Sequence, residues 1–232
     1  EIFDGDTDLI RVTDDGYGIS PTDIPIAFER HATSKITNES DLEGIATMGF
    51  RGEALPSIAA VSNVALISRC RGSDAGAAIR VRGGEIMESG ASGGAEGTSI
   101  AVDDLFFNVP ARKKFLRSSL SEKGRIRTLV AQMALAYPEV RFQLRVNERQ
   151  RFLSPGNGKL RDAVAKVYDS EVLNALLDVE ASDGEGRNLW GCISAPSYSR
   201  VNRGAINFYV NRRWVQSRLL SQAVEQAYLG LL

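Results

Sequence analysis

Four short apolar runs in the first half of the chain, Val64–Ser68, Ala78–Arg82, Glu85–Glu88 and Thr98–Val102, follow one another with glycine turns between them. They read as strands with no helix separating them. Helix signals lie on either side. Ser20, Pro21 and Asp23 give a cap, a first-turn proline and an acid for a helix running to about Arg30. Glu53–Ala60 reads as a second helix. Ser121 caps a third, with Ile126, Leu129, Val130, Met133 and Tyr137 at helical spacing and Pro138 ending it. Strands and helices are therefore mixed rather than strictly alternating, which points to an α+β fold of sandwiched layers and not to a doubly wound parallel sheet.

Leu9–Val12 reads as a strand ahead of the glycine turn at residues 14–18. Gly90–Gly97 reads as a mobile glycine-rich stretch. Further on, Val140, Phe142, Leu144 and Val146 alternate with Arg141, Gln143 and Arg145, the period of a half-buried strand. Ser154-Pro155-Gly156-Asn157-Gly158 has linker composition, so a domain boundary is expected there, giving units 1–154 and 155–232. Past it come a helix through Leu160, Val164, Val167 and Tyr168, strands near Leu173–Val179, Asn188–Ile193 and Ile206–Asn211, and a last helix from about Ser217.

The 232 residues are 43% hydrophobic and 25% charged, enough for one large domain or two small ones. The longest apolar runs fall well short of the roughly 20 residues of a membrane span, so no membrane partner is expected. Two cysteines, Cys70 and Cys192, build neither a disulfide framework nor a zinc cluster and suit a reducing interior. A single histidine, His31, excludes multi-histidine metal sites. Both ends of the chain read as cuts.

The net charge of −1 hides an asymmetry. Residues 1–45 hold eleven acids and three bases; residues 111–127 hold seven bases and one acid; residues 187–218 hold six arginines and no acid. Two acid-poor stretches favour a nucleic-acid face in the later part of the chain, though solvated helix and loop surfaces share that composition.

Four segments suggest chemistry. Asp14-x-Gly16-x-Gly18 follows a strand directly: glycines let backbone approach a ligand, and a strand-end carboxylate can accept a hydrogen bond from an exocyclic amine. Gly49-Phe50-Arg51-Gly52-Glu53-Ala54-Leu55 opens a helix with exposed amides, an anion site without the Lys-Ser/Thr of a Walker loop. His31-Ala32-Thr33-Ser34-Lys35 puts hydroxyls and a cation on a connection long enough for a lid. Gly97-Thr98 enters a strand with a hydroxyl. Singly, these also read as a hairpin turn, packing glycines, a solvated loop and an ordinary strand start.

In this order and spacing the four resemble the nucleotide site of the ATPase superfamily shared by gyrase, Hsp90, histidine kinases and MutL. The closer resemblance is to MutL: the strings at residues 31–35 and 49–55, Asp104-Leu105-Phe106-Phe107-Asn108-Val109-Pro110-Ala111-Arg112-Lys113-Lys114-Phe115-Leu116, and Tyr209-Val210-Asn211-Arg212-Arg213 look like that family's signature segments. The resemblance spans nearly the whole chain.

The resemblance implies a two-layer α/β sandwich of the GHKL ATPase type followed by a domain similar to domain 2 of ribosomal protein S5. It implies that Asp14 binds the adenine amine, that Gly16, Gly18 and Thr98 shape the base pocket, that Thr33, Ser34 and Lys35 belong to a lid, and that Gly49, Phe50, Arg51, Gly52, Glu53, Ala54 and Leu55 cradle the phosphates. It implies ATP with Mg2+, dimerisation with a second copy or a related chain, weak DNA binding through backbone contacts, a mismatch-recognition partner of the MutS type, and a place in the bacterial cytoplasm or the eukaryotic nucleus.

In the family the general base and the magnesium-holding asparagine lie on a helix ahead of the first strand seen here, and a lysine that reaches the terminal phosphate lies past the second domain. No catalytic residue is assigned in these 232 residues, which are expected to hydrolyse ATP poorly alone. The family pattern Asn-Gly-Arg is Asn211-Arg212-Arg213 here. Arginine at positive φ costs about 1 kcal/mol, so a different turn type is expected. Arg212, Arg213 and Arg218 are the candidate DNA contacts. The alternatives are a gyrase B-type topoisomerase fragment, against which the 104–116 segment argues, and a matchmaker that uses ATP only as a switch.

Overall fold

The computed structural model describes residues 1–4, 8–30, 52–168, 170–199 and 203–231. The chain forms two compact units, residues 1–122 with 145–149, and residues 123–144 with 150–232. Both are mixed α/β.

The first unit is built on β1 (Ile2–Phe3), β2 (Leu9–Asp14), β3 (Asn63–Arg69), β4 (Gly76–Arg82), β5 (Glu85–Ser92) and β6 (Gly97–Asp103). They lie in the order β5-β4-β3-β6-β2-β1. All neighbouring pairs among them are antiparallel. The end of β7 (Gln143–Val146) adds a parallel pairing of Val146 with Ile2. α1 (Asp23–Ile26) and α2 (Ala54–Ala59) supply the second layer. Side chains alternate across a strand, so Val64 and Leu66 of β3 share a face with Ile79 and Val81 of β4. That face is buried against Ile24 of α1 and Ala59 of α2, with Ile19, Phe28 and Leu55 packed around it. The opposite face is open: Ile67 is exposed.

Several expected elements differ in extent. β2 runs on through Asp14, because it is paired along its whole length with β6. α1 is a single turn rather than a helix to Arg30. Phe28 N–H turns back to the Pro25 carbonyl and Glu29 N–H to that of Ile26, tightening the chain out of α geometry. β5 continues through Ser92, so Gly90 and Ala91 are ladder residues opposite Ala78 and Ala77, not a mobile stretch. Backbone pairing requires no side chain, and a small-residue partner strand admits glycine. The third helix expected from the sequence, α4 (Ser119–Ala136), starts before Ser121. Its opening is held by Glu122, whose carboxylate accepts the Arg117 N–H at 3.2 Å. Its apolar spacing decides burial only near its end, where Ala134, Leu135 and Ala136 are buried while Leu129 is exposed.

The 104–116 segment holds Asp104 and Phe106 at positive φ and contains α3 (Pro110–Lys113). It is tied to the end of α2 and the start of β3. Phe106 N–H donates to Val61 O at 2.6 Å, Asn108 Nδ2 to Ala60 O at 2.9 Å, and Asn63 Nδ2 to Asp104 Oδ2 at 3.2 Å.

The second unit contains the C-terminal part of α4, β8 (Arg149–Leu153) from Gln150 onward, α5 (Leu160–Val167), α6 (Ser170–Asn174), the antiparallel pair β9 (Leu176–Ser182) and β10 (Asn188–Ser194), the hairpin β11 (Phe208–Val210) and β12 (Arg213–Val215), and α7 (Arg218–Tyr228). Leu135 packs with Ala163 and Val164 in its core. The chain passes between the two units inside α4 and again within β7 and β8, and residues 154–155, where a boundary is expected from composition, lie within the second unit. Despite its composition, the 154–158 stretch is stitched down. Ser154 Oγ, 2% exposed, accepts the Phe142 N–H at 2.8 Å, Gly158 N–H donates to Pro138 O at 3.0 Å, and a Cβ on Gly156 would sit 2.6 Å from that of Arg141. Residues 173–174 are helical, because the Ala175 N–H closes a turn on Val172 O, and the strand begins at Leu176. Ser217 caps α7, accepting the Leu220 N–H at 3.2 Å.

Candidate functional site

Asp14 ends β2 directly opposite Thr98, the second residue of β6. Across β6, Thr98 is paired with Ser68 of β3. Paired residues point to the same side of a sheet, so Asp14, Thr98 and Ser68 share a side. Two residues along β3 that row continues through Leu66, on the face covered by α1 and α2. The strand-end carboxylate and the α2 helix therefore lie on one side of the sheet. Asp14 is exposed, not buried, and its Oδ1 accepts the Gly16 N–H at 2.9 Å, closing a turn that sets the carboxylate's orientation.

The glycines around this strand end have close backbone neighbours. At Gly18 (φ +76°) a Cβ would lie 2.2 Å from Arg69 O, and at Gly97 (φ +101°) 2.1 Å from Asp14 O. Only glycine satisfies both the left-handed conformation and the contact. Each of these glycines therefore has a packing role in bringing Asp14, Thr98 and Ser68 together, whatever else it does for a ligand.

Sequence reasoning missed Ser68. It is 1% exposed, and its hydroxyl accepts the Ile19 N–H at 2.7 Å, reaches Gly97 O at 3.0 Å and lies 2.9 Å from Thr98 Oγ1. A serine has one proton. With that proton on Gly97 O, Thr98 donates to Ser68, and the lone pairs of Thr98 Oγ1 remain beside Asp14. The signal was present: the period of Val64 and Leu66 puts a polar residue next in an inward row.

Ahead of α2, Gly52 sits at φ +61°. The first N–H groups of a helix have no partner within it. Pro56, third in this one, removes one donor and leaves those of Ala54 and Leu55, with Glu53 at the N-cap. Thr33, Ser34, Lys35, Gly49, Phe50 and Arg51 lie outside the described residues.

In the second unit the β11–β12 turn is a tight two-residue connection with Asn211 at φ +48° and Arg212 at +63°. The expected change of turn type does not occur; Arg212 takes the position at which glycine is free. Its guanidinium pairs with Glu139 and lies 5.4 Å over the Tyr137 ring, contacts that offset the strain. The Glu139 carboxyl is held below its usual range, first by its own backbone N–H and then by Arg212. Arg212 is thus engaged within the protein, whereas Arg218 is exposed at the start of α7. Arg213 is half-buried on β12. Cys192, which donates to Asp178 Oδ1 at 3.4 Å, is pushed by burial to about 11 and stays a thiol.

The sequence is 44% identical to "DNA mismatch repair protein MutL" of Heliobacterium modesticaldum over 231 residues, all of this chain and 35% of that protein. It is also 44% identical over 232 residues to the protein of the same name from Desulforudis audaxviator, all of this chain and 41% of that one. The chain belongs to the MutL family of DNA mismatch repair proteins. A family model described as "DNA mismatch repair protein, C-terminal domain" matches residues 164–232. Among solved structures, the Aquifex aeolicus MutL ATPase domain complexed with ADP superposes with a TM-score of 0.70 at 29% identity, covering 94% of this chain and 75% of that one. The fold is that of MutL ATPase domains. The chain spans between 35% and 41% of the length of the two MutL relatives named here.

Proposed function

We propose that this chain carries the nucleotide-binding part of a MutL-type mismatch repair ATPase. The observation behind the reading is the strand-end constellation of Asp14, Thr98 and buried Ser68, on the sheet face that also carries α2. An ionised Asp14 accepts from the exocyclic amine of adenine, and Thr98 Oγ1 offers an acceptor to the base or to a water held against it. Gly16 and Gly18 let the backbone pass close beneath the ring. A guanine presents a carbonyl oxygen where adenine presents the amine, so a carboxylate there disfavours it.

The proposal places the triphosphate at the segment leading into α2, Gly49, Phe50, Arg51, Gly52, Glu53, Ala54 and Leu55, where the helix dipole favours an anion. Thr33, Ser34 and Lys35 then act as the lid. Mg2+ is proposed to enter with ATP, and it supplies charge neutralisation at the phosphates. Among the described residues there is no group of three or more His, Cys, Asp or Glu that could hold a metal, so no step is assigned to it. None of the residues given a role here is a general base. Polypeptide 1–232 alone is therefore proposed to bind nucleotide without efficient turnover.

For the whole protein the reading is an ATP-driven cycle. The protein dimerises through this region with a second copy or a related chain, takes up DNA weakly through Arg213, Arg218 and the rim around Arg212, and relays a signal from a MutS-type mismatch-recognition protein to strand-incision machinery. Such a cycle belongs on the chromosome, in the bacterial cytoplasm or the eukaryotic nucleus. No described helix is long and apolar enough to cross a membrane. The ADP carried by the Aquifex aeolicus relative supports the nucleotide.

The test is calorimetric titration of residues 1–232 with a nonhydrolysable ATP analogue beside a phosphate-release assay. Saturable binding with slow release is expected. Absence of binding by ATP, ADP and the analogue alike overturns the reading.

A further inference from the structure

The second unit contains a cavity of about 410 Å³ whose charged lining is four bases and no acid: Arg127 from α4, Arg141 from the turn before β7, Arg151 from β8 and Lys166 from α5. Four other arginines of that unit have carboxylate partners: Arg161 with Asp178 at 3.1 Å, Arg187 with Asp183, Arg203 with Glu225 at 2.5 Å, and Arg212 with Glu139. None of the four side chains around the cavity has an ion pair or hydrogen bond among the described residues. Four like charges drawn from four separate elements repel one another, and only solvent screening or an anion relieves that.

The floor beneath them is fixed. Phe152 is buried, and Ser154 Oγ accepts the Phe142 N–H and donates to Val140 O at 3.2 Å. Gly156 packs on the backbone of Arg141. Above this floor the cations are exposed and long, with freedom to follow their ligand. A fixed base with a long, exposed cationic rim suits a run of phosphates at variable positions better than one small anion of fixed shape.

We infer that this cavity binds backbone phosphates of a nucleic-acid strand, as a site separate from Arg212, Arg213 and Arg218. The inference rests on the nucleic-acid reading of the second unit and adds to it a location that the acid-poor runs alone did not reveal.

The experiment is fluorescence anisotropy of a labelled oligothymidylate with residues 1–232 across a salt series. Removing one phosphate contact lowers the slope of log affinity against log salt by about 0.7 for single strands, so Arg141→Gln/Arg151→Gln should lower it by about 1.4. Arg141→Lys/Arg151→Lys should restore the slope, and Arg187→Gln, at a paired surface arginine, should leave it unchanged. Thermal melting of each variant confirms folding, since both cavity arginines are exposed.

An unchanged slope in the Gln pair, with a lowered slope in Arg212→Ala/Arg213→Ala/Arg218→Ala, overturns the cavity site and spares the broader reading. No oligothymidylate binding by the unsubstituted chain overturns both. Inorganic tripolyphosphate that binds through Arg141 and Arg151 where the oligonucleotide does not would assign the cavity to a free polyphosphate and overturn the strand site.

Discussion

Gly97→Ala tests whether the strand end is held together as described. The added Cβ would stand 2.1 Å from Asp14 O and 2.9 Å from the Asp15 Cα, with the backbone at φ +101°. Both obstacles are backbone atoms, which no side-chain rotation relieves. The conformational penalty of a Cβ at positive φ is about 1–2 kcal/mol. Relieving the clash requires β2 and β6 to part by about 1 Å at Asp14 and Thr98, weakening a ladder hydrogen bond worth about 1 kcal/mol. The sum is about 2–3 kcal/mol. Urea unfolding followed by circular dichroism measures it, and analogue titration reports whether Asp14 has moved. Gly90→Ala is the control: that glycine is not at positive φ, and an added Cβ there would meet nothing within 4 Å. It should change stability by less than about 1 kcal/mol. A Gly97→Ala protein as stable as the unsubstituted chain, with unchanged nucleotide affinity, would refute the idea that this glycine brings the two strands together.

Ser68→Ala leaves the Ile19 N–H without its acceptor and should cost about 1–3 kcal/mol while weakening nucleotide binding, because Thr98 is free to turn; equilibrium unfolding and titration check both. Arg212→Gly relieves about 1 kcal/mol of backbone strain but removes the Glu139 and Tyr137 contacts, each worth up to about 1 kcal/mol. Its stability should stay within about 1 kcal/mol of the parent, whereas Arg212→Ala, which keeps the strain and loses the contacts, should melt lower. Glu139 has a folded-state pKa below its unfolded one, so its contribution is present above the unfolded value and is lost as pH falls through the folded value. Glu139→Gln should flatten the acid limb of a stability–pH profile slightly, since the pair is half exposed and screened.

Much of the fold was readable because its strands are short, alternating and separated by glycine. The row Val64, Leu66 and the pattern of Leu144 and Val146 identify their buried faces directly. Lengths were less readable where pairing overrides composition. Gly90 and Ala91 carry no strand propensity, yet they are held by the β4 ladder. Local polarity also misled at Ser154, which looks like linker but is buried and makes three hydrogen bonds to Val140 and Phe142. In the candidate site, Asp14 and Thr98 could be named from the sequence, but their being opposite each other depends on the β2–β6 register, which no local pattern encodes. Ser68 depends on the β3–β6 register in the same way. The rim of four bases was hidden for a related reason: Arg127, Arg141, Arg151 and Lys166 are spread over about forty positions and meet only after α4, β8 and α5 pack.

The proposed adenine recognition rests on an acid that reads an amine. Asp14→Asn keeps the oxygen that accepts the Gly16 N–H, so the turn survives, but it presents an amide to adenine and removes the charge. Loss of a charge-assisted hydrogen bond of about 1.5–3 kcal/mol corresponds to a tenfold to hundredfold weaker affinity for the ATP analogue. Calorimetry should show that loss with an unchanged melting temperature and a narrowed preference for adenine over guanine nucleotides. Equal affinity of the Asp14→Asn protein and the parent for the adenine analogue would contradict the account.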